Sequence, residues 1–382
     1  METLFWTCLL LGLYPYVGYP ALAWLFARLI NRGVAADAGY TPAVTVVISA
    51  YNEDRHIRAT VLNKLEQDYP SHLLDVIVMS DGSEDGTDDI LREICTTHPR
   101  VRFFRQEPRA GKTSALNAAL GHVQSEVVVF SDANSIYRPD TIRRLVANFA
   151  DSSVGYVTGS MRYVNPDGSL VGDGCSAFMR YENWLREVET RIGAVVGVDG
   201  GVDAVRRALY RPMRADQLPD FVLPLTVVEQ GARVVYEPEA ILNEDTLTTQ
   251  SSEYRMRVRV ALRAFWALWD KRGLLNPLRT GVFALQLWSH KALRYLSFLP
   301  LALTIVLNWV LVSHGFIYIL GIAGQVMFAL MLLLAHRGRR EVGGLALPAY
   351  CDYFALVNWA SAVAFLQFLR GEKKVIWQPR QG

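Results

Sequence analysis

Apolar residues fall into two regimes along this chain. Between about residue 43 and residue 277 they come as short runs at Val44 to Ser49, Asp75 to Ser80, Val101 to Arg105, Glu126 to Ser131, Gly155 to Ser160 and Arg233 to Tyr236. Each has the length of a strand buried on both faces. Helical stretches separate them at Asp54 to Glu66, Asp88 to Cys95, Lys112 to His122 and Pro139 to Phe149. This alternation predicts an α/β domain with a largely parallel sheet. No repeat or low-complexity stretch interrupts it. There is no GxGxxG or GxxxxGKS/T loop, so ordinary dinucleotide and P-loop chemistry has no support.

The apolar runs on either side are longer. Leu4 to Ile30 is interrupted by Pro15 and Pro20, yet it can cross a hydrocarbon core of ~30 Å, which takes about 20 residues. A cleaved signal peptide fits less well, because the charges Arg28 and Arg32 follow the run instead of preceding it. Leu296 to Val312 and Gly315 to Ala335, separated by Ser313 and His314, predict a tight helical hairpin across the membrane, with two buried core helices as the alternative. The cluster His336 to Arg340 (HRGRR), like Arg28 and Arg32, is expected on the cytoplasmic side. Tyr350 to Leu369 is apolar but broken by Asp352, Asn358 and Gln367, and Arg370, Lys373 and Lys374 follow it. If it spans, one of the two basic clusters faces outward, and the sequence leaves both arrangements open. Gly281 to Tyr295 mixes Phe283, Leu287 and Trp288 with Lys291 and Arg294. It predicts a helix lying in the headgroup layer, with a buried soluble helix as the alternative.

Composition agrees with a partly membrane-embedded chain, since 51% of the 382 residues are hydrophobic. The 39 basic residues nearly balance the 37 acidic ones, so no basic excess points to a nucleic-acid partner. Cys8, Cys95, Cys175 and Cys351 are far apart and form no CxxC, which argues against a zinc site or a disulfide framework. They read as free thiols in a reducing compartment.

Candidate chemistry sits at the strand ends. VVVFSDAN (Val127 to Asn134), VIVMSDGSEDG (Val76 to Gly86) and VTVVISAYNE (Val44 to Glu53) each carry an apolar strand into a tip with acidic or amide groups. Three such tips predict one polar crevice. There Glu53 and Asp81 can accept hydrogen bonds from a pyrimidine base or from ribose hydroxyls. Solvated turns or helix caps are the ordinary alternative for such residues.

Six strings in order carry a family resemblance: SAYNE (Ser49 to Glu53), DGSEDGT (Asp81 to Thr87), GKTSALN (Gly111 to Asn117), SDAN (Ser131 to Asn134), DAVRRALY (Asp203 to Tyr210) and PDFVLPLTVVEQGARVVYEPEA (Pro219 to Ala240). Together they resemble the inverting family 2 glycosyltransferases over about Thr41 to Arg263. The flanking apolar segments match the membrane-integrated branch with hyaluronan, cellulose and poly-N-acetylglucosamine synthases. The resemblance implies a GT-A (Rossmann-like) fold flanked by transmembrane and interfacial helices, a nucleotide-sugar donor, UDP-linked, and Mg²⁺ or Mn²⁺. It also implies a division of the chain: 1–40 as N-terminal transmembrane helix and linker, 41–253 as catalytic domain, 254–295 as amphipathic interface helices, and 296–382 as C-terminal membrane region with the hairpin, a third apolar segment and a basic tail.

Site residues follow by position. The resemblance assigns Tyr51, Glu53, Asp81, Lys112, Asp132 and Arg257 to the donor. A cation such as Lys112 at a helix start favours a negatively charged ligand. Asp132 and Asn134 occupy the family's DxD position and are expected to hold the metal, which would offset charge on the leaving nucleoside diphosphate. Asn134 is an amide and brings no charge, so its ligation is less firmly implied than that of Asp132. Asp220 is assigned as general base toward an acceptor hydroxyl, although Pro219 stands where the family has a second carboxylate. Asp199 and Asp203 are its rivals, and a helix cap is the ordinary alternative. Arg255, Arg257, Arg259 and Arg263 lie where processive synthases carry QxxRW, a motif this chain lacks, so processivity has no support. These arginines either clamp a pyrophosphate or rest on the lipid surface. Trp377, Pro379 and Arg380 are similar to the tail of the same enzymes.

The function expected is a membrane enzyme that moves a sugar to a polysaccharide or lipid-linked acceptor at the cytoplasmic face of a bacterial inner membrane, beside glycan export or assembly partners. A polyprenyl-phosphate glycosyltransferase is the alternative, since a phosphate acceptor is already ionised and needs no base. A non-catalytic assembly subunit is the third reading, and only Asn134 and Pro219 speak for it.

Overall fold

The computed structural model describes residues 1–164, 174–245, 250–339, 341–342 and 345–373. Arg340, Lys374, Trp377, Pro379 and Arg380 lie outside the described residues.

The chain opens with α1 (Glu2–Leu13) and α2 (Tyr19–Ile30), joined by a π-helical turn over Tyr14–Gly18. Pro15 and Pro20 stand in the first positions of that turn and of α2. Then follow β1 (Val44–Ala50), α3 (Ile57–Leu65), β2 (Leu74–Ser80), α4 (Thr87–Thr97), β3 (Val101–Arg105), α5 (Lys112–Leu120), β4 (Val127–Asp132), β5 (Ile136–Tyr137) and α6 (Thr141–Ala147). The domain continues with β6 (Val154–Val164), α7 (Gly174–Ile192), β7 (Asp203–Arg206), α8 (Pro219–Glu229) and β8 (Arg233–Asp245). Seven helices close the described chain: α9 (Gln250–Asp270), α10 (Pro277–Thr280), α11 (Val282–Leu287), α12 (Leu293–Leu296), α13 (Phe298–Val310), α14 (Phe316–His336) and α15 (Leu347–Leu369).

All six expected strands are present. Together with β5 and β7 they form one eight-stranded sheet in the order β3-β2-β1-β4-β7-β6-β8-β5. The β3-β2-β1-β4 half is parallel, as the alternation predicts. The other half is mixed, because β7 runs antiparallel to both β4 and β6. The hydrophobic pattern misses β7, in which Asp203 and Arg206 flank only two apolar residues, Ala204 and Val205.

Alternate residues of β1 bury opposite faces. Val44, Val46 and Ile48 join α3, α4 and α6 on one side, while Val47 joins α5, α8, α9 and α11 on the other. Phe283 and Leu287 therefore belong to the domain core, which corrects their assignment to the headgroup layer. What α11 and the turn after it leave exposed is Val282, Leu285 and Trp288.

The N-terminal helices are fixed to the domain by both packing and polar contacts. Tyr19, Ala23 and Ala27 pack on Leu185, Val188 and Ile192 of α7. Tyr19 Oη also donates to Glu189 Oε1 at 2.5 Å.

Among the described residues, three stretches are long and apolar enough to cross a membrane: Glu2–Ile30, Phe316–His336 and Leu347–Leu369. The turn at Val312–His314 leads from α13 into α14 as the hairpin pattern predicts, but α13 has only 13 residues. It reaches spanning length only together with Val282–Leu296, from which it is bent by 54°.

Helix α15 lies along α9. Ala360 and Ala364 meet Val258, Ala261, Leu262 and Phe265, and Tyr353 near its start receives the Arg257 guanidinium 5.4 Å from the ring centroid. Just past its end, Trp266 Nε1 donates to Glu372 O at 2.8 Å and Lys373 Nζ pairs with Asp216 at 2.6 Å. Both ends of α15 therefore rest against the same body of protein.

Candidate functional site

The chain leaves β1 for β2 and β3 on one side and returns as β4 on the other. This creates a topological switch point, outside whose carboxyl ends α/β sheets bind ligands. Asp132 ends β4 in register with Ser49 of β1. Tyr51 and Glu53 follow β1, and Asp81 follows β2, so the three predicted strand tips lie side by side at one edge of the sheet.

Lys112 joins Asp132 to Asp220. Its Nζ lies 2.6 Å from Asp132 Oδ1 and 3.8 Å from Asp220 Oδ1. Lys112 begins α5 directly after Gly111, whose φ of 89° belongs to the left-handed region. Burial works to lower the ammonium's pKa, but the two carboxylates outweigh it and hold the pKa above its ordinary value.

Two glycines separate the carboxylates. Gly200 (φ +73°) lies so close under Asp220 that a Cβ there would meet its carboxylate at 2.7 Å. Gly201 (φ +75°) would bring a Cβ within 3.2 Å of Asp132 Oδ2. The dipeptide is visible in the sequence, but its place between the acids is not.

Asp220 is the second residue of α8. Leu218 is the N-cap and no side chain caps that end, so the helix-cap alternative for Asp220 does not hold. Burial raises its pKa and Lys112 partly opposes this. The rival acids are engaged or enclosed. Asp199 is held by Arg186 at 2.5 Å, with both side chains buried. Asp203 is 1% exposed within β7. Burial raises its pKa to about 7.

Asp81 accepts hydrogen bonds from Gln106 Nε2 (2.7 Å), Ala110 N (2.8 Å) and Gly111 N (2.9 Å). Its carboxylate thus holds the loop that presents Lys112. The Arg109 guanidinium lies 3.4 Å from the Tyr51 ring centroid, and Glu53 N donates to Thr87 Oγ1 at 2.8 Å. Asn134 is half-buried in the loop after Asp132.

Arg257 pairs with Glu253 one turn earlier at 2.7 Å. Arg263 is the arginine of α9 whose charge acts on Asp220, while burial lowers its own pKa. The sequence names both residues, but helical periodicity alone cannot choose between them.

Among the described residues, no group of three or more His, Cys, Asp or Glu could hold a metal by itself. A hard divalent cation that keeps its waters and binds substrate phosphates needs only one or two protein carboxylates. Asp132, already drawing a cation to its Oδ1, with the Asn134 amide two residues on, fits that requirement.

Residues 45–192 match the family Glycosyl transferase family 2. An N-acetylglucosaminyltransferase of Rhizobium meliloti (strain 1021) is 28% identical over 270 residues, 65% of this chain and 62% of that protein. A poly-beta-1,6-N-acetyl-D-glucosamine synthase of Staphylococcus epidermidis is 22% identical over 95% of this chain and 92% of the synthase. The match to the first of these spans less than two thirds of its length. A solved mannosyltransferase, PcManGT from Pyrobaculum calidifontis, superposes with a TM-score of 0.73 at 23% identity, covering 97% of this chain and 99% of that one. That likeness identifies the fold as GT-A. The protein thus carries a glycosyl transferase family 2 domain, and its relatives include polysaccharide synthases.

Proposed function

We propose that this protein transfers a sugar, with inversion, from a nucleotide-sugar donor to a polysaccharide or lipid-linked saccharide acceptor at the cytoplasmic face of a membrane. The observation that carries this reading is the bridge of Lys112 between Asp132 and Asp220, which sets a phosphate-side acid and an acceptor-side acid in one crevice. Tyr51 and Glu53 line the nucleoside end. Asp81 acts through the 106–111 loop that it holds, and Lys112 turns to the donor phosphates when these enter. Mg²⁺ or Mn²⁺, held by Asp132 and Asn134, supplies charge compensation for the departing diphosphate. Asp220 accepts the proton of the attacking hydroxyl as the new glycosidic bond forms and the bond to the departing diphosphate breaks, and burial holds its pKa above the ordinary value. Arg263, more than Arg257, is the arginine of α9 placed to act there.

PcManGT is described in complex with GDP-Man and Mn2+, which supports the cation and sets a guanine donor beside the uracil one. The chain is read as multi-pass: α1 with α2 crosses, the bent stretch that ends in α13 crosses outward and α14 crosses back, and α15 lies beside α9 on the domain's side. That arrangement keeps Arg337 and Lys373 on the same face as the 41–253 catalytic domain.

The test is incubation of detergent-purified protein with UDP- and GDP-sugars, with and without membrane extract, following nucleoside diphosphate release. Release that needs added Mn²⁺ or Mg²⁺ and stops with chelator is expected. Full turnover by Asp132→Ala in excess chelator contradicts the metal assignment.

A further inference from the structure

The loop that follows β4 is held from below by a helix to which the proposed reaction gives no part. Three residues of α3 reach its backbone. Thr60 Oγ1 donates to Ala133 O at 2.7 Å. Asn63 exchanges two bonds with Tyr137, donating from Nδ2 to the carbonyl at 2.9 Å and accepting from the N–H at 2.8 Å. Lys64 Nζ donates to Ser135 O at 2.6 Å and to Asn63 Oδ1 at 3.0 Å. The residues contacted, Ala133, Ser135 and Tyr137, alternate with Asn134 and Ile136 along the loop.

Lys64 is the unusual member of this set. It is 0% exposed, and its ammonium lies 3.7 Å from the centroid of the Tyr137 ring. Burying an ammonium costs several kcal/mol after relaxation, which its two hydrogen bonds and the Tyr137 ring must offset. Packing alone therefore does not call for a lysine here. Its described hydrogen bonds go to a carbonyl and an amide, and Asp132 is the acid whose charge acts on it.

Tyr137 carries the support across the crevice. Its Oη lies 2.9 Å from Phe130 O and 2.6 Å from Gly201 O. Gly201 is the glycine that abuts Asp132, and Gly200 beside it abuts Asp220. A single connected unit thus runs from α3 under the 132–137 loop to the backbone that separates the two acids.

We propose that Lys64, supported by Thr60 and Asn63, is a positioning residue that fixes the Asp132–Asn134 loop in the geometry needed to hold a divalent cation. This inference rests on the metal reading given above and adds to it a residue outside all the motifs. Orienting partners behind metal ligands commonly change affinity or activity by roughly 10- to 100-fold when removed.

The experiment titrates Mn²⁺ by electron paramagnetic resonance into the full-length protein in detergent, with UDP or GDP present, and records thermal midpoints alongside. Lys64→Met fills the same space without the charge. Its midpoint should fall by a few degrees, since Ser135 O and Asn63 Oδ1 lose their donor, while half-saturating Mn²⁺ measured well below that midpoint should rise roughly tenfold. Thr60→Val deletes only the hydrogen bond to Ala133 and should raise half-saturating Mn²⁺ by a smaller factor, roughly threefold on the same grounds. It decides the matter if Lys64→Met does not fold. Unchanged or lower half-saturating Mn²⁺ in folded variants overturns the role of Lys64 alone. If the parent itself binds no Mn²⁺ with either nucleotide, the metal reading falls, and this inference with it.

Discussion

Lys112 Nζ lies 2.6 Å from Asp132 Oδ1, so the cation of the GKTSALN segment rests on the acid of the SDAN segment, two strings that the sequence presents as separate motifs. Asp220 completes the arrangement from the start of α8 at 3.8 Å. A site with two acids and one lysine holds its own countercharge, and on the proposed reading the phosphates of an entering donor compete for that lysine.

Lys112→Met should therefore weaken donor binding while leaving the fold intact. A charge-assisted hydrogen bond contributes roughly 1.5–3 kcal/mol, so the KM for the nucleotide sugar should rise roughly 10- to 100-fold. Steady-state kinetics across donor concentrations check this, and an unchanged KM places the phosphates elsewhere.

Asp220→Asn should bind donor normally and transfer the sugar about 10² to 10⁴ times more slowly. Because the pKa of Asp220 is raised, the parent's rate should fall on acidification at a pH above the ordinary carboxylate range. The variant should lack that acid limb. Parental rates in the variant would favour an already ionised phosphate acceptor over a hydroxyl.

Asp203 makes a prediction about stability. Its pKa of about 7 in the fold lies above the ordinary carboxylate value of about 3.9, so the folded state holds a proton that the unfolded state has released. Stability from this group is fully present below the unfolded value and is lost as pH rises toward 7. Thermal midpoints in detergent should fall over that window for the parent and fall less for Asp203→Asn. Parallel curves for the two proteins would mean that Asp203 ionises without cost.

Topology can be read by labelling single cysteines from outside intact cells after the native cysteines are replaced. A cysteine at Ser313 should react, whereas cysteines at exposed Glu84 and Arg370 should not. Labelling at Arg370 would show that α15 crosses the membrane instead of following α9.

The sequence alone determined the parallel half of the sheet, because β1, β2 and β4 are buried on both faces and appear as unbroken apolar runs. It also located Asp81, Asp132 and Lys112 at element ends, where turn and helix-start chemistry is local. Other features depended on contacts between distant segments. Four-residue β7 takes its place from hydrogen bonds to β4 and β6, and its own pattern is too short to announce it. Hydropathy records that Phe283 and Leu287 avoid water, but it does not distinguish lipid from protein. Only packing against the sheet decided that. The reach of the Arg263 charge to Asp220, and the placing of Gly200 and Gly201 between two acids, depend on how α8 and α9 close over the sheet. Lys64 looks in the sequence like any charge on a surface helix. It became part of the site because α3 packs across the end of β4 and turns that one side chain inward.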